Sequence, residues 1–311
     1  MKYFKNYLIT GATGFVGHNI INKYKNDKKI KIYYTYRNKD LKFKKKNLIG
    51  IKINFENLKE INKLKNILGK IDTIIHCANL AHNEYSPKII KKINYSATIN
   101  LVQLAKIFNV RKFIFLSTAK INMNYDKNIN FESDISKNIR NDFYSFIKYK
   151  TEKNIKNILK SSQVNYYILR PALVYGKNVK GNLKKLNSLT NFIIPVPLPF
   201  SNAIEKKSFC SINNLIECIN NILTKKIKSD TFIVCDDRYY SFKDLLICLF
   251  KKKKKKILLF PIKIIFFKII FILLNREEKF NSIFSKMILD NSKIKKKLNI
   301  KLRYNIYNTK Y

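Results

Sequence analysis

Apolar and polar positions alternate in two periods along this chain, and the switching between them predicts its elements. Residues 7–10 form a short apolar run that reads as a buried strand, and residues 15–25 then follow a helical period. Residues 29–36 alternate as a second strand, residues 48–53 make a third, and residues 58–68 return to helical spacing. Thr73-Ile74-Ile75-His76-Cys77-Ala78 is short and apolar, as a strand covered on both faces should be. A long helix over 89–108 and a strand over 112–116 complete five rounds of strand and helix. Such alternation argues a doubly wound parallel sheet, whose ligands sit at the carboxyl ends of the strands. Further helices are expected over 213–223, 241–250 and 290–300, with a strand over 231–235 returning to the sheet.

The candidate chemistry gathers at those strand ends. The first strand runs into Gly11-Ala12-Thr13-Gly14-Phe15-Val16-Gly17, a Gly-x-x-Gly-x-x-Gly turn that opens the first helix. Glycines there permit a tight turn, a close backbone approach and close packing, and the helix N-terminus offers free amides to an anion. A dinucleotide pyrophosphate fits that description; a purely structural glycine turn is the alternative. At the end of the second strand an acid would bond the ribose of NAD, whereas an arginine accommodates the extra phosphate of NADP. The residues there are Tyr36-Arg37-Asn38, with Asp40 slightly late, so Arg37 favours NADP unless it is only a solvated surface arginine. Asn54 follows the third strand, Ala78-Asn79 the fourth and Ser117-Thr118 the fifth. His76 is read as a packed strand-end histidine. Tyr144 and Lys148 are four apart, so in a helix they share a face. An ammonium beside a phenol lowers the tyrosine pKa, and such a tyrosine can exchange a proton with an alcohol–ketone pair.

Composition changes this picture little. The 311 residues, 46% of them apolar, suffice for a sizeable core in one domain or two merged ones. The net charge of +43 comes almost entirely from lysine, with seven arginines, and accompanies much Asn and Ile. No nucleic-acid module or basic repeat is present, so the excess reads as a lysine-rich surface and no nucleic-acid partner is expected. Five scattered cysteines without a Cys-x-x-Cys pair read as reduced, buried thiols of a cytoplasmic protein. Three histidines with so few partners argue against a metal site, and no signal peptide is expected before so early a first strand.

Taken together, Gly11-x-x-Gly14-x-x-Gly17, His76-Cys77-Ala78, Ser117-Thr118, Tyr144-x-x-x-Lys148 and Leu169-Arg170-Pro171-Ala172-Leu173-Val174-Tyr175-Gly176 stand in a familiar order and spacing. The chain resembles the extended short-chain dehydrogenase/reductases, in their nucleotide-sugar epimerase/dehydratase branch. Val179-Lys180-Gly181-Asn182, Pro195-Val196-Pro197-Leu198-Pro199 and Glu205-Lys206-Lys207-Ser208-Phe209 narrow the resemblance. They look like the bacterial subgroup of UDP-glucose 4-epimerase-like proteins and UDP-N-acetylquinovosamine dehydrogenases of surface-polysaccharide pathways.

The resemblance implies a Rossmann-type doubly wound parallel sheet with a smaller C-terminal substrate-binding domain. The dinucleotide-binding domain would be 1–175 with 210–237 returning to it, and the substrate domain 176–209 with 238–311. It implies NAD or NADP held by Gly11, Thr13, Gly14, Phe15, Val16, Gly17, Arg37, Asn54, Ala78, Ser117, Lys148 and Pro171. Thr118 would bond the sugar O4, Tyr144 would be the acid/base, and Lys148 would bond the nicotinamide ribose and tune Tyr144. Asn182 and Lys207 fall where the family contacts the substrate diphosphate; a homodimer is left open, because the sequence does not give the oligomer. Two departures stand out. Asn54 replaces the usual aspartate near the adenine, and Lys207 replaces an arginine, giving charge without a bidentate fork.

The dehydratases of this family carry Asp-Glu directly after the catalytic threonine; Ala119-Lys120 stands here, so elimination lacks its proton carriers. Hydride chemistry at C4 of a UDP-hexose or UDP-N-acetylhexosamine remains. It is read first as 4-epimerisation, with an NADPH-linked 4-ketoreductase of a UDP-4-keto-6-deoxy sugar as the alternative. A non-catalytic dinucleotide-binding scaffold or sensor would need the glycines but not Thr118, Tyr144 and Lys148. Lysines 251–256 precede an apolar stretch, 257–274, interrupted by Pro261, Lys263 and Lys268. It reads as a packed helix of the substrate domain, or as a helix lying on the inner face of the membrane, as a lipid-linked sugar substrate would suit.

Overall fold

The computed structural model describes residues 5–38, 40–43, 45–80, 85–125, 127–181, 183–184, 188, 197–198, 200–261, 263–274 and 277–310. It divides into two compact units. The first comprises 1–121, 136–171 and 216–232, and the second 122–135, 172–215 and 233–311.

The first unit carries the alternation in its expected order: β1 (Lys5–Thr10), α1 (Phe15–Tyr24), β2 (Ile30–Tyr36), β3 (Leu48–Lys52), α2 (Leu58–Ile67) and β4 (Thr73–His76). After α3 (Pro87–Ile90) and α4 (Ala97–Ile107) come β5 (Lys112–Leu116), α5 (Phe143–Lys160) and β6 (Asn165–Pro171). The strands order as β3-β2-β1-β4-β5-β6, with Asp230–Val234 beside β6. Every pair from β3 to β6 is parallel. The order reverses direction between β1 and β4, which places the ends of those two strands at the switch point where ligands bind in such sheets. All four residues of β4 are buried, consistent with helices on both faces. Leu8, Ile74, Leu101, Phe113, Phe115, Ile155 and Ile168 join one core beneath α2, α4 and α5.

The sequence period gives a single helix over 89–108, and the structure modifies it. Lys91–Ser96 winds as a π-helical turn between α3 and α4. The buried Asn94 within it brackets one residue of the β4 loop. Its Oδ1 accepts from the Leu80 amide at 2.9 Å and its Nδ2 donates to the Leu80 carbonyl at 3.0 Å. Wide turns of this kind recur where a helix is shaped around a site.

In the second unit, β7 (Leu173–Tyr175) pairs in parallel with β9 (Lys207–Ser211), and Tyr239–Tyr240 adds an antiparallel edge. A short β8 (Pro197–Leu198) pairs with Leu258–Leu259. Asp236 is the polar hub, accepting from Tyr175 Oη at 2.5 Å, Ser211 N at 2.8 Å and Asn214 Nδ2 at 2.7 Å. The 257–274 stretch differs from the expected packed helix. Its helical part is only Ile264–Leu273, and none of those residues is buried. Phe267 and Phe271 of the helix, with Ile257 upstream, reach the small cluster that holds Phe242, Phe280 and Phe284.

Candidate active site

The glycine turn is built so that side chains have no room. Gly11 has φ +69°, and a Cβ there would lie 2.5 Å from Ala78 N. A Cβ on Gly17 would lie 2.4 Å from the Gly11 carbonyl oxygen, so α1 sits tightly on the turn. Gly14 is the N-cap of α1 and provides no side-chain acceptor, and the first helical turn holds no acid. The amides of that turn and its positive dipole end therefore suit an anion. Thr13 is exposed beside it, and Phe15 and Val16 are half-buried at the helix start. These features fit the dinucleotide that the glycine spacing predicts.

A buried polar chain locks β1 to β4. The Ala78 amide donates to Thr10 Oγ1 at 3.3 Å, and Thr10 Oγ1 lies 2.6 Å from His76 Nδ1. His76 Nε2 lies 2.8 Å from Thr98 Oγ1, whose hydroxyl donates to the Asn94 carbonyl at 2.9 Å. Because Thr98 gives its proton to Asn94, it accepts from Nε2–H, and His76 is the neutral Nε2–H tautomer. Burial lowers the His76 pKa to about 3, with the nearby Lys148 charge adding to the shift. His76 is thus the packed histidine its sequence position suggests.

Helix α5 runs across the ends of three strands with one face. Tyr144, Lys148 and Glu152, spaced four apart, are all buried. Asn79 Nδ2, just past β4, donates to Tyr144 Oη at 2.7 Å. Lys148 Nζ donates to the Leu116 carbonyl at the end of β5 at 2.6 Å and lies 4.1 Å above the Phe115 ring. Glu152 accepts from the Ser117 hydroxyl and pairs with buried Arg170 of β6, Nη2 to Oε2 at 2.6 Å. Asp142, the N-cap residue, accepts from Ser145 Oγ at 2.5 Å and pairs with Lys120 at 3.3 Å.

The electrostatics correct one expectation. Tyr144 was expected to have a pKa lowered by Lys148; instead burial raises it above the usual phenol value, opposed by the Asn79 hydrogen bond. The cause is visible: the Lys148 ammonium is engaged with Leu116 and Phe115, and its own pKa is pushed down by burial to about 7. Asn79 is the residue that touches the phenolic oxygen, and its Oδ1 is buried without a hydrogen-bond partner. An orphaned acceptor beside a buried phenol invites a donor from a ligand.

The other expected site residues fall as follows. Thr118 is half-buried after β5, and its Oγ1 accepts from the Lys120 amide at 3.2 Å, which leaves its hydroxyl hydrogen to donate. Ser117 spends its hydroxyl on Glu152. Ala78 abuts Gly11, and Pro171 closes β6. Asn54 turns its Oδ1 to the Glu56 amide at 3.1 Å, in an Asx turn before α2. Arg37 is half-exposed and 3.5 Å from Glu56, which Lys92 also approaches at 2.9 Å. In the second unit, Lys207 is buried, and its ammonium donates to the Asn281 carbonyl at 3.2 Å and to the Ser285 carbonyl. Burial lowers its pKa to about 8. Asn182 lies outside the described residues.

Comparison with known proteins bears on the family and the fold. The NAD dependent epimerase/dehydratase family matches residues 7–235. A UDP-glucose 4-epimerase of Vibrio cholerae is 30% identical over 243 residues, covering 75% of this chain and 71% of that one. An uncharacterized Escherichia coli protein, YbjS, is 25% identical over 196 residues, 62% of this chain and 57% of that one. In fold, the chain is similar to the UDP-glucose 4-epimerase of Thermotoga maritima solved with UDP-glucose. The TM-score is 0.75 at 18% identity, over 98% of this chain and 96% of that one. It is likewise similar to a UDP-glucuronic acid 4-epimerase of Bacillus cereus solved with NAD. There the TM-score is 0.76 at 16% identity, over 98% and 95% of the two chains.

Proposed function

The chain belongs to the NAD dependent epimerase/dehydratase family, and from that premise we propose that it is a 4-epimerase of a UDP-hexose or UDP-N-acetylhexosamine. The observation that carries this reading is a buried phenol, Tyr144, whose oxygen accepts a hydrogen bond from Asn79 while a lysine sits one helical turn behind it.

The dinucleotide, held at the Gly11–Gly17 turn, supplies the hydride acceptor and donor when bound. The protein's own residues manage the proton. Tyr144 Oη takes the proton of the sugar C4 hydroxyl and later returns it. Asn79 donates to the phenolic oxygen and so steadies the phenolate without adding a charge. Thr118 uses its remaining hydroxyl hydrogen to bond O4. Lys148, on the tyrosine's face of α5, fixes the end of β5 through its bond to the Leu116 carbonyl. Elimination of water is disfavoured because Ala119 and Lys120 stand where dehydratases need acids, and Lys120 is paired with Asp142. Arg37 is already partnered by Glu56, whose carboxylate would repel a 2′-phosphate, so the cofactor we propose is NAD rather than the NADP that Arg37 alone suggested.

The test is incubation with UDP-glucose, UDP-GlcNAc and a UDP-4-keto-6-deoxy-N-acetylhexosamine, each with and without NADPH. Interconversion of C4 epimers without added reductant supports the proposal. Turnover of the keto sugar alone, dependent on NADPH, makes the protein a 4-ketoreductase; no turnover of any substrate removes both readings.

A further inference from the structure

Helix Ile264–Leu273 presents an apolar surface that its own unit does not cover. Ile265, Phe266 and Leu273 are 55%, 56% and 77% exposed, and Ile264, Ile269, Ile270, Ile272 and Leu274 are exposed beside them. Leu258 and Phe260, immediately upstream, are exposed as well. Within the helix, only Phe267 and Phe271 are turned toward the aromatic cluster of the second unit, which anchors the helix by one edge. A contiguous apolar surface of this kind marks an interaction site. Its upstream flank is basic: residues 251–274 contain eight lysines and no acid, and the mixed run Arg276-Glu277-Glu278-Lys279 follows. Lysines 251–256, Lys263 and Lys268 are all exposed.

We propose that this helix docks in the plane of an anionic lipid surface, its isoleucines and phenylalanines in the acyl boundary and the lysines among the headgroups. The inference is independent of the sugar chemistry and rests on three observations. Ten residues make a helix of roughly 15 Å, half of what a bilayer core requires, and no described helix is long and apolar enough to cross a membrane. The exposed apolar residues include three in succession, Ile264, Ile265 and Phe266, so the apolar surface is wider than a single stripe and suits a fluid phase better than a groove. The flanking charge favours anionic lipid and opposes a second copy of this chain, because a twofold interface would set these lysines against their own counterparts.

The full-length protein is sedimented with vesicles of phosphatidylcholine alone and with vesicles that also contain phosphatidylglycerol. Binding is expected only to the anionic vesicles and is expected to weaken with salt. The exposed pair Ile265→Glu with Ile269→Glu, and separately Lys255→Glu with Lys256→Glu, should each reduce binding by more than about tenfold. Unchanged thermal unfolding of both variants shows that the fold is kept. A wild-type protein that ignores anionic vesicles overturns the proposal, as does binding that both variants retain. A wild-type dimer that the isoleucine variant converts to monomer, without vesicle binding, assigns the surface to a second copy and equally overturns it.

Discussion

At the scale of single residues, the tyrosine of the site owes its setting to an asparagine. Burial makes the Tyr144 phenolate costly, and the Asn79 amide offsets part of that cost. Asn79→Ala should raise the pH at which Tyr144 ionises and lower the turnover rate near neutral pH by about tenfold, one pKa unit being a tenfold change in phenolate. A pH–rate profile checks this: Asn79→Asp should shift the tyrosine limb further up, and an unshifted profile in both would release Asn79 from the role. His76 gives a second prediction. Its pKa is near 3 in the folded chain and about 6.5 unfolded, so the unfolded state binds more protons between those values. Stability is therefore fully present above about pH 6.5 and falls as pH drops toward 3. Urea unfolding at pH 7 and pH 5 should show this loss in the wild type and a smaller one in His76→Gln. The sequence made Tyr144, Lys148 and His76 legible because each sits at a fixed offset from a strand end or in a helix. It did not reveal the Asn79 contact. Residues 65 positions apart meet there through the sheet, and no local spacing records it. Nor could spacing say that Lys148 and Lys207 would spend their charges on backbone carbonyls.

At the scale of elements, α5 organises the site by laying Tyr144, Lys148 and Glu152 over the ends of β4, β5 and β6 in turn. The Glu152–Arg170 pair at its third step is almost wholly buried and is shared with Ser117. Glu152→Ala leaves a guanidinium buried without its partner and should cost about 3–5 kcal/mol of stability, measured by chemical denaturation. Gly17→Ala places a methyl 2.4 Å from a backbone oxygen that cannot move cheaply. Dinucleotide affinity, read by fluorescence titration, should fall more in that variant than global stability does. The parallel sheet and its helices were readable from periodicity because strands buried on both faces and half-buried helices leave different patterns. The π-helical turn at Lys91–Ser96 was not, since its residues keep a helical composition and only Asn94's grip on Leu80 distinguishes it. The 257–274 stretch stayed open between two readings for a related reason: apolar content alone does not say whether protein or something else covers it.

At the scale of the whole molecule, +43 charges surround chemistry proposed to act on doubly negative nucleotide sugars. Attraction of that kind acts on encounter and is screened by ions, so kcat/KM for a UDP-sugar should decline steadily as salt rises while kcat changes little. The measurement that tests the account most directly follows UDP-glucose and UDP-GlcNAc by proton NMR in the presence of wild-type protein and of Tyr144→Phe. The account predicts appearance of the C4 epimer with the wild type and a loss of at least about a hundredfold in the variant, with dinucleotide binding intact. A wild type that leaves both sugars unchanged, or a phenylalanine variant that epimerises as fast, would contradict it.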